Sequence, residues 1–168
     1  MPLSIVKPSF WKSYREVRDA SNALVGWYKL SNAWQTKAEG EVQGRRFHFS
    51  YVGWDGRYSQ MTDTSGHVIA RIEPIGWWGT WYKLTYNGKE YRWRMNGWGT
   101  ESMMYDVPTQ AGGETEIVRV RPGGYFKPGT VTVHRPMDTK ELIPLVLYSI
   151  YQQHVIASQS AASGGGAS

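Results

Sequence analysis

The feature that most constrains how this chain can fold is a long apolar stretch, residues 137–156, in a sequence whose other segments read as strands. Asp138 and Glu141 have the spacing of a capping box, in which a side-chain oxygen accepts an unpaired N–H of the first helical turn. Residues 142–150 are apolar at nearly every position, so a helix there has apolar sides all round. Polar residues return only towards its C-terminal end, at Ser149, Gln152 and Gln153.

Such a helix belongs either in a membrane or inside a protein, and its length favours the second. A bilayer span takes about 20 apolar residues, whereas a run of about 10 to 14 is typical of a buried core helix. The run ends at Gln152, so we predict a core helix. Pro144 removes one backbone hydrogen bond and should bend the helix between Lys140 and Pro144.

The remaining sequence contains a recurrence. A strand, a turn opened by aspartate and a returning strand occur at Asp19, at Asp63 and, with a longer turn, at Asp106. From Asp19 to Asp63 is 44 residues, and from Asp63 to Asp106 is 43. Each unit then holds about four short strands at the spacing typical of all-β barrels and sandwiches, so three units predict about twelve strands.

These signals fit one architecture. Residues 81–86 and 90–95 flank Asn87-Gly88, a pair typical of a type I′ hairpin. A closed antiparallel barrel of about twelve strands is too wide for its own side chains to fill, because diameter grows with strand number. We therefore predict an all-β barrel around a central hydrophobic C-terminal helix. It forms one domain, residues 1–156, followed by a disordered Gly/Ser/Ala tail at 157–168. The predicted inward positions are Phe47, Phe49, Tyr51, Val68, Ala70, Ile72, Tyr82, Leu84, Tyr91, Trp93, Met95, Val118, Val120, Val131 and Val133.

This pattern resembles the tubby C-terminal fold, which LURP-one-related proteins and phospholipid scramblases share. Residues 116–120, the aromatic corner within 125–133, and the acidic cap with its apolar helix at 138–147 look like the end of a LURP-one-related or small fungal tubby-like domain. The likeness covers roughly residues 14–156. It implies a non-enzymatic binding module, because tubby domains bind phosphoinositide headgroups through basic residues outside the barrel. Scrambling is disfavoured, since the sequence has neither a cysteine-rich stretch nor an acidic calcium-binding run.

One candidate binding site consists of basic residues on strands. Period-two alternation sends Arg92 and Arg94 outward together, and it does the same for Arg119 and Arg121. Lys83 joins the first pair across the hairpin. Paired arginines can grip the phosphate of a lipid headgroup with two donors each. The alternative is that all five are ordinary solvated charges that cover the sheet.

A second candidate site is aromatic. Trp77, Trp78 and Trp81 lie on a Gly-flanked corner, and Trp98 lies nearby in sequence between glycines. Tryptophan settles well in the headgroup region of a membrane, and it also stacks on sugar rings. The alternative is that at least two of these rings plug an end of the barrel, since large rings are usually mostly buried.

Several classes of function find no support. The chain has no cysteine, which excludes disulfides, thiolate metal sites and a cysteine nucleophile. It has neither a Gly-X-Ser-X-Gly motif nor a phosphate-cradling glycine loop, and His48, His67, His134 and His154 are separated by 19 or more residues. We therefore expect no enzymatic activity, no cofactor and no metal.

Three hypotheses about function remain. The net charge of +5 favours an anionic partner. The first hypothesis is a cytoplasmic module that binds anionic phospholipid peripherally, without crossing the membrane. The second is a protein-interaction or structural scaffold with an acidic protein partner. The third is a barrel with an open cavity for a small ligand or glycan, which requires the helix to lie outside. No nucleic-acid partner is expected, and the oligomeric state is left open.

Overall fold

In a computed structural model of the protein, the described residues are 2–8, 14–31, 36–52, 58–76, 80–107, 113–124 and 127–163. They form twelve strands and one helix. In chain order these are β1 (Leu3–Val6), β2 (Tyr14–Arg18), β3 (Leu24–Leu30), β4 (Lys37–Val42), β5 (Arg45–Val52), β6 (Tyr58–Thr62), β7 (Val68–Ile75), β8 (Trp81–Tyr86), β9 (Lys89–Met95), β10 (Ser102–Asp106), β11 (Thr115–Gly123), β12 (Pro128–Val133) and α1 (Thr139–Ser163).

The strands close into an antiparallel barrel. Each strand pairs with its neighbours in sequence, and β1 closes the ring by pairing with β12, where Leu3 lies opposite Val131. The hairpin between β8 and β9 turns at Asn87 and Gly88, whose φ angles of 47° and 79° have the sign that a type I′ turn requires. The predicted twelve-stranded barrel with a C-terminal helix is therefore confirmed.

The four-strand repeat is visible in the geometry of the sheet. A register shift occurs between β2 and β3, again between β6 and β7, and again between β10 and β11. The Asp19 carboxylate accepts hydrogen bonds from the backbone N–H groups of Ser21 and Ala23 at 2.9 and 3.0 Å. Asp63 forms the same turn four strands later. The third copy differs, because Asp106 instead pairs with Arg135.

The helix begins where the sequence predicts and ends later. The Asp138 carboxylate accepts the N–H of Lys140 at 2.9 Å, which caps the first turn. The predicted end at Ile156 is wrong, because α1 continues through Ser163. Small residues suggested a disordered tail, but alanine is the best helix former and the Ser158 hydroxyl bonds the Val155 carbonyl at 2.8 Å. Residues 164–168 lie outside the described part of the chain.

The barrel is filled by α1 and the inward strand residues. Leu145, Leu147 and Tyr151 on the helix are completely buried. The predicted inward residues are buried or half-buried, with one exception. Val68 is 48% exposed, because the register shift between β6 and β7 inserts Ile69 between two paired positions and turns Val68 outward.

Glycine allows the helix to approach one side of the wall. Gly26 on β3 and Gly40 on β4 face the lumen, and a Cβ added to Gly26 would lie 2.8 Å from the Ile143 side chain. A Cβ at Gly40 would lie 2.9 Å from the carbonyl of Trp27 and 3.1 Å from Leu147. The helix therefore packs closest where β3 and β4 lack side chains.

Three polar residues of the helix, Ser149, Gln152 and Gln153, anchor it to the strands. These three are buried, and each is hydrogen-bonded to a side chain on a different strand. Trp93 Nε1 donates to Ser149 Oγ (3.2 Å), Ser59 Oγ donates to Gln152 Oε1 (2.5 Å), and Gln153 Nε2 donates to Ser102 Oγ (2.6 Å). Because buried polar groups cost free energy when unpaired, these bonds determine the rotation and depth of the helix inside the barrel.

Candidate functional site

The up-and-down order sorts the connections between strands into two ends of the barrel. We call the end with the β1–β2, β3–β4, β5–β6, β7–β8, β9–β10 and β11–β12 connections the aromatic end, because each connection contains an aromatic residue in its sequence. We call the other the helix-entry end, since α1 starts there, and its connections contain no Trp, Tyr or Phe. In sequence, the first set has four Lys or Arg against two Asp or Glu, and the second has one against four.

Trp98 lies at the tip of the β9–β10 connection, and its side chain projects into solvent. It is 90% exposed. The turn beneath it is well ordered by hydrogen bonds, since the Asn96 side chain accepts the N–H groups of Thr100 and Glu101 at 2.9 and 3.2 Å. Gly99 donates to the Asn96 carbonyl at 3.0 Å and has a φ of 68°. The indole is therefore held out from the barrel by a fixed turn.

Trp81, another of the predicted tryptophans, does not join it in an exposed cluster. Trp81 on β8 is half-buried, with its ring centroid 5.2 Å from that of Tyr105. The Arg94 guanidinium lies 4.6 Å from the Trp81 ring centroid and covers it. Trp81 is thus part of the barrel wall, while Trp77 and Trp78 lie outside the described residues.

The five predicted basic residues all lie on the outer face, but each already has a partner. Lys83 is 3.2 Å from Glu73, and Arg92 is 2.8 Å from Glu90. The Arg94 guanidinium lies over the rings of Trp81 and Tyr105, and it donates to the Tyr105 hydroxyl at 3.2 Å. On this side of the wall, the cations are therefore held by carboxylates or aromatic rings.

The second arginine pair is neutralised more completely. Arg119 makes two hydrogen bonds to Glu116, at 2.7 and 2.8 Å, and Arg121 pairs with the buried Glu101. The hydrogen bonds from Arg119 lower the pKa of Glu116. Strand β10 separates this pair from Arg92 and Arg94, a distance of about 10 Å across two strand spacings. A phosphate bound here would have to displace carboxylates.

Sequence reasoning missed Arg15. It lies two residues before Val17 on β2, and Val17 is completely buried, so alternation turns Arg15 towards the lumen. Its guanidinium donates to the Pro122 carbonyl at 2.9 Å. The sequence signal that could have identified Arg15 as inward-facing is the apolar residue two places further along the strand, Val17.

The grooves of the described surface lie away from the centre of the lumen. One, of about 350 Å³, runs along β7 and the β8–β9 turn and is lined by Val68, Arg71 and Thr85. Another, of about 280 Å³, lies at the helix-entry end beside Arg45, Lys140 and Pro144. The open-cavity hypothesis required the helix to lie outside the barrel, and α1 instead fills the lumen.

Comparisons with known protein families, with curated proteins and with solved structures found no match to this chain. Within the described residues, no helix has the length and apolarity needed to span a membrane. The same residues contain no group of three or more His, Asp or Glu side chains placed to hold a metal ion.

Proposed function

We propose that this chain is a non-enzymatic binding module that docks the aromatic end of its barrel onto an anionic phospholipid surface. The exposed indole of Trp98 carries this proposal, because it is 90% exposed on a hydrogen-bonded turn and contributes nothing to the core. Indole rings partition favourably into the headgroup region, where their apolar body and polar N–H are both accommodated. A fixed turn adds to affinity, since little conformational freedom is lost on binding.

A cation at the same end supports this orientation. Lys127 is exposed in the β11–β12 connection. The charge of Arg121 is instead offset by Glu101, whose N–H closes the turn that presents Trp98. A Lys or Arg near an anionic membrane contributes about 1 kcal/mol to binding. This placement differs from the sequence-based expectation, in which the barrel wall held the headgroup.

A second candidate function is protein interaction, and the paired wall of β8 to β11 favours it. Its cations already hold carboxylates or rings, which suits a polar protein interface better than a phosphate site. Substitution of Arg92 or Arg119 would weaken such an interface and leave membrane binding unchanged.

Co-sedimentation with vesicles tests the proposal. We expect the protein to sediment with phosphatidylcholine vesicles that contain phosphoinositide at low salt, and less so at high salt, because exposed charges are screened. Trp98→Ala should weaken binding about tenfold, the value of burying one large side chain. Leu24→Ala is the matched control, because Leu24 is 49% exposed at the helix-entry end.

Two results would overturn the proposal. One is a failure of the wild-type protein to sediment at low salt with any anionic vesicle. The other is an equal loss of binding in Trp98→Ala and Leu24→Ala, which would mean that neither end is specifically used.

A further inference from the structure

The interior of the aromatic end contains a cation without a carboxylate. Arg15 points into the barrel, and among the described residues no carboxylate lies within 4.0 Å of its guanidinium. Its guanidinium donates to the Pro122 carbonyl, and the other N–H donors have no acceptor among the described residues. A largely buried cation is costly unless it is paired. Within the described part of the barrel, no carboxylate neutralises this charge just inside the aromatic end.

A second donor without a partner among the described residues lies on the neighbouring strand. Tyr28 on β3 is directly opposite Arg15 in the register of β2 and β3, and both face the lumen. Tyr28 is 2% exposed, and its hydroxyl has no hydrogen-bond partner among the described residues. Burial raises the pKa of Tyr28, so the hydroxyl keeps its proton. By contrast, the buried hydroxyl of Tyr151 on α1 donates to the Thr36 carbonyl at 2.6 Å.

The helix contributes a third group. His154 on α1 is half-buried near Arg15, and burial and then the positive charge of Arg15 lower the pKa of its imidazole. Arg15 and His154 are both partly exposed, so a solute can reach them. Of the described groups around this point, the guanidinium of Arg15 is a cation and the Tyr28 hydroxyl keeps its proton, a combination that favours an anion over a metal cation.

We propose that Arg15, Tyr28 and His154 form a binding site for a small oxyanion, a phosphate or carboxylate group, inside the aromatic end of the barrel. Such a group accepts paired N–H bonds from the guanidinium and one O–H bond from Tyr28, which satisfies both unused donors at once. The oxyanion could be a free solute or the phosphate of a lipid headgroup. The site does not depend on membrane docking, since Trp98 lies outside it.

Thermal unfolding of the full chain in sodium phosphate, compared with sodium chloride at equal ionic strength, tests the site. We expect phosphate to raise the Tm in a saturable way and to shift the NMR signals of the His154 imidazole. Tyr28→Phe should weaken the apparent affinity at least about tenfold, because a hydrogen bond to a charged group is lost. Arg15→Gln should abolish the effect.

Tyr91→Phe is the matched control. Its hydroxyl is likewise buried without a hydrogen-bond partner in the described structure, but it lies towards the helix-entry end on β9. This variant should keep the full response to phosphate. A wild-type Tm that does not respond, or a response retained by both Tyr28→Phe and Arg15→Gln, would overturn the site. If Arg15→Gln does not fold, Tyr28→Phe decides, because it removes one oxygen atom.

An experiment with vesicles distinguishes the two possible sources of the anion, a lipid headgroup and a free solute. Phosphatidylcholine vesicles containing phosphatidic acid should shift the His154 signals if a lipid phosphate enters, whereas free phosphate alone should do so if the site takes a solute. Either result supports the site, and a failure of both probes refutes it. Trp98→Ala should leave the response to free phosphate unchanged, so failure of membrane docking and failure of this site are distinguishable.

Discussion

The two ends of the barrel satisfy their polar groups in different ways. At the helix-entry end the chain closes on itself: Asn87-Gly88 makes a tight hairpin, and the carboxylates of Asp19 and Asp63 accept N–H groups of their own turns. At the aromatic end Trp98 is exposed, and the Tyr28 hydroxyl is buried without a partner among the described residues. The Tyr91 hydroxyl, towards the helix-entry end, is also buried without a partner among these residues, but the residues opposite it are Leu84 and Asp106, whereas Tyr28 lies opposite Arg15. Stability and binding are thus assigned to opposite ends.

The largest expected effect concerns the close contact between Gly26 on β3 and the first turns of the helix. Gly26→Val places a branched side chain where even a Cβ would lie 2.8 Å from the Ile143 side chain. The helix therefore cannot pack against β3 at its present position. We expect a loss of about 3 kcal/mol or failure to fold, the upper range for overpacked cores. Gly113→Ala, in open space at the same end, should change stability by less than about 0.5 kcal/mol. Urea unfolding measures the free energy of unfolding of both variants. If the two changes are tolerated equally, the helix is not closely packed at Gly26.

The second-largest expected effect shows whether the membrane binds the aromatic end or the wall, which is the outer face of β8 to β11. Lys127→Gln should weaken binding to anionic vesicles about fivefold, because one exposed cation near the surface is lost. Lys83→Gln removes the same charge from the wall and should leave sedimentation unchanged. A larger loss in the wall variant would restore the site expected from sequence.

The same substitution should have opposite signs at two buried tyrosines. Tyr28→Phe removes an unsatisfied hydroxyl and should raise the free energy of unfolding by about 1 kcal/mol in phosphate-free buffer. Tyr148→Phe removes a hydroxyl that bonds Ser59 at 2.9 Å and should lower it by a similar amount. Chemical denaturation tests this, and destabilisation by Tyr28→Phe would mean that its hydroxyl is already satisfied.

The turns of the helix-entry end should respond to acid. Hydrogen bonds from Ser21 and Ala23 lower the pKa of Asp19. Burial raises the pKa of Asp63, but the hydrogen bonds from His67 and Ser65 and the charge of His67 together outweigh it, so this pKa is also lowered. A carboxylate with a lowered pKa stabilises the fold above its ordinary value near 3.8, and this contribution is lost as the pH falls through the folded value. In Asp19→Asn the slope of Tm against pH should become smaller but should not vanish, because Asp63 keeps its contribution.

The aromatic end should respond to acid earlier, and by the smallest amount. Because burial and Arg15 lower the pKa of His154 below its ordinary 6.5, the unfolded chain takes up the proton first. Stability is then full above that value and declines as the pH falls through it. His154→Gln should remove this upper step in the Tm profile and leave the lower one. A profile unchanged by this variant would mean that His154 titrates equally in both states.

Much of the fold could be predicted because its signals are local. The Asp138 cap, the Asn87-Gly88 hairpin and the recurring aspartate turns each depend on a few adjacent residues. Val68 escaped prediction because a bulge changes the face of every residue beyond it, and period two cannot reveal where the extra residue is inserted. The helix end was placed too early because composition suggested disorder where helix propensity and the Ser158 hydrogen bond favour a further turn.

The candidate sites depended on tertiary structure. Alternation correctly sends Arg119 and Arg121 outward, but their acidic partner Glu101 precedes a different strand, at a position that only the sheet register brings close. Coulomb energy falls with the distance between charges, and distances across strands are not encoded in spacing along the chain. The sequence alone determined an apolar helix inside a barrel of about twelve strands. Only the closed barrel decided which cations are neutralised, that Trp98 is exposed, and that Arg15 lies opposite Tyr28 on the inner face of the sheet.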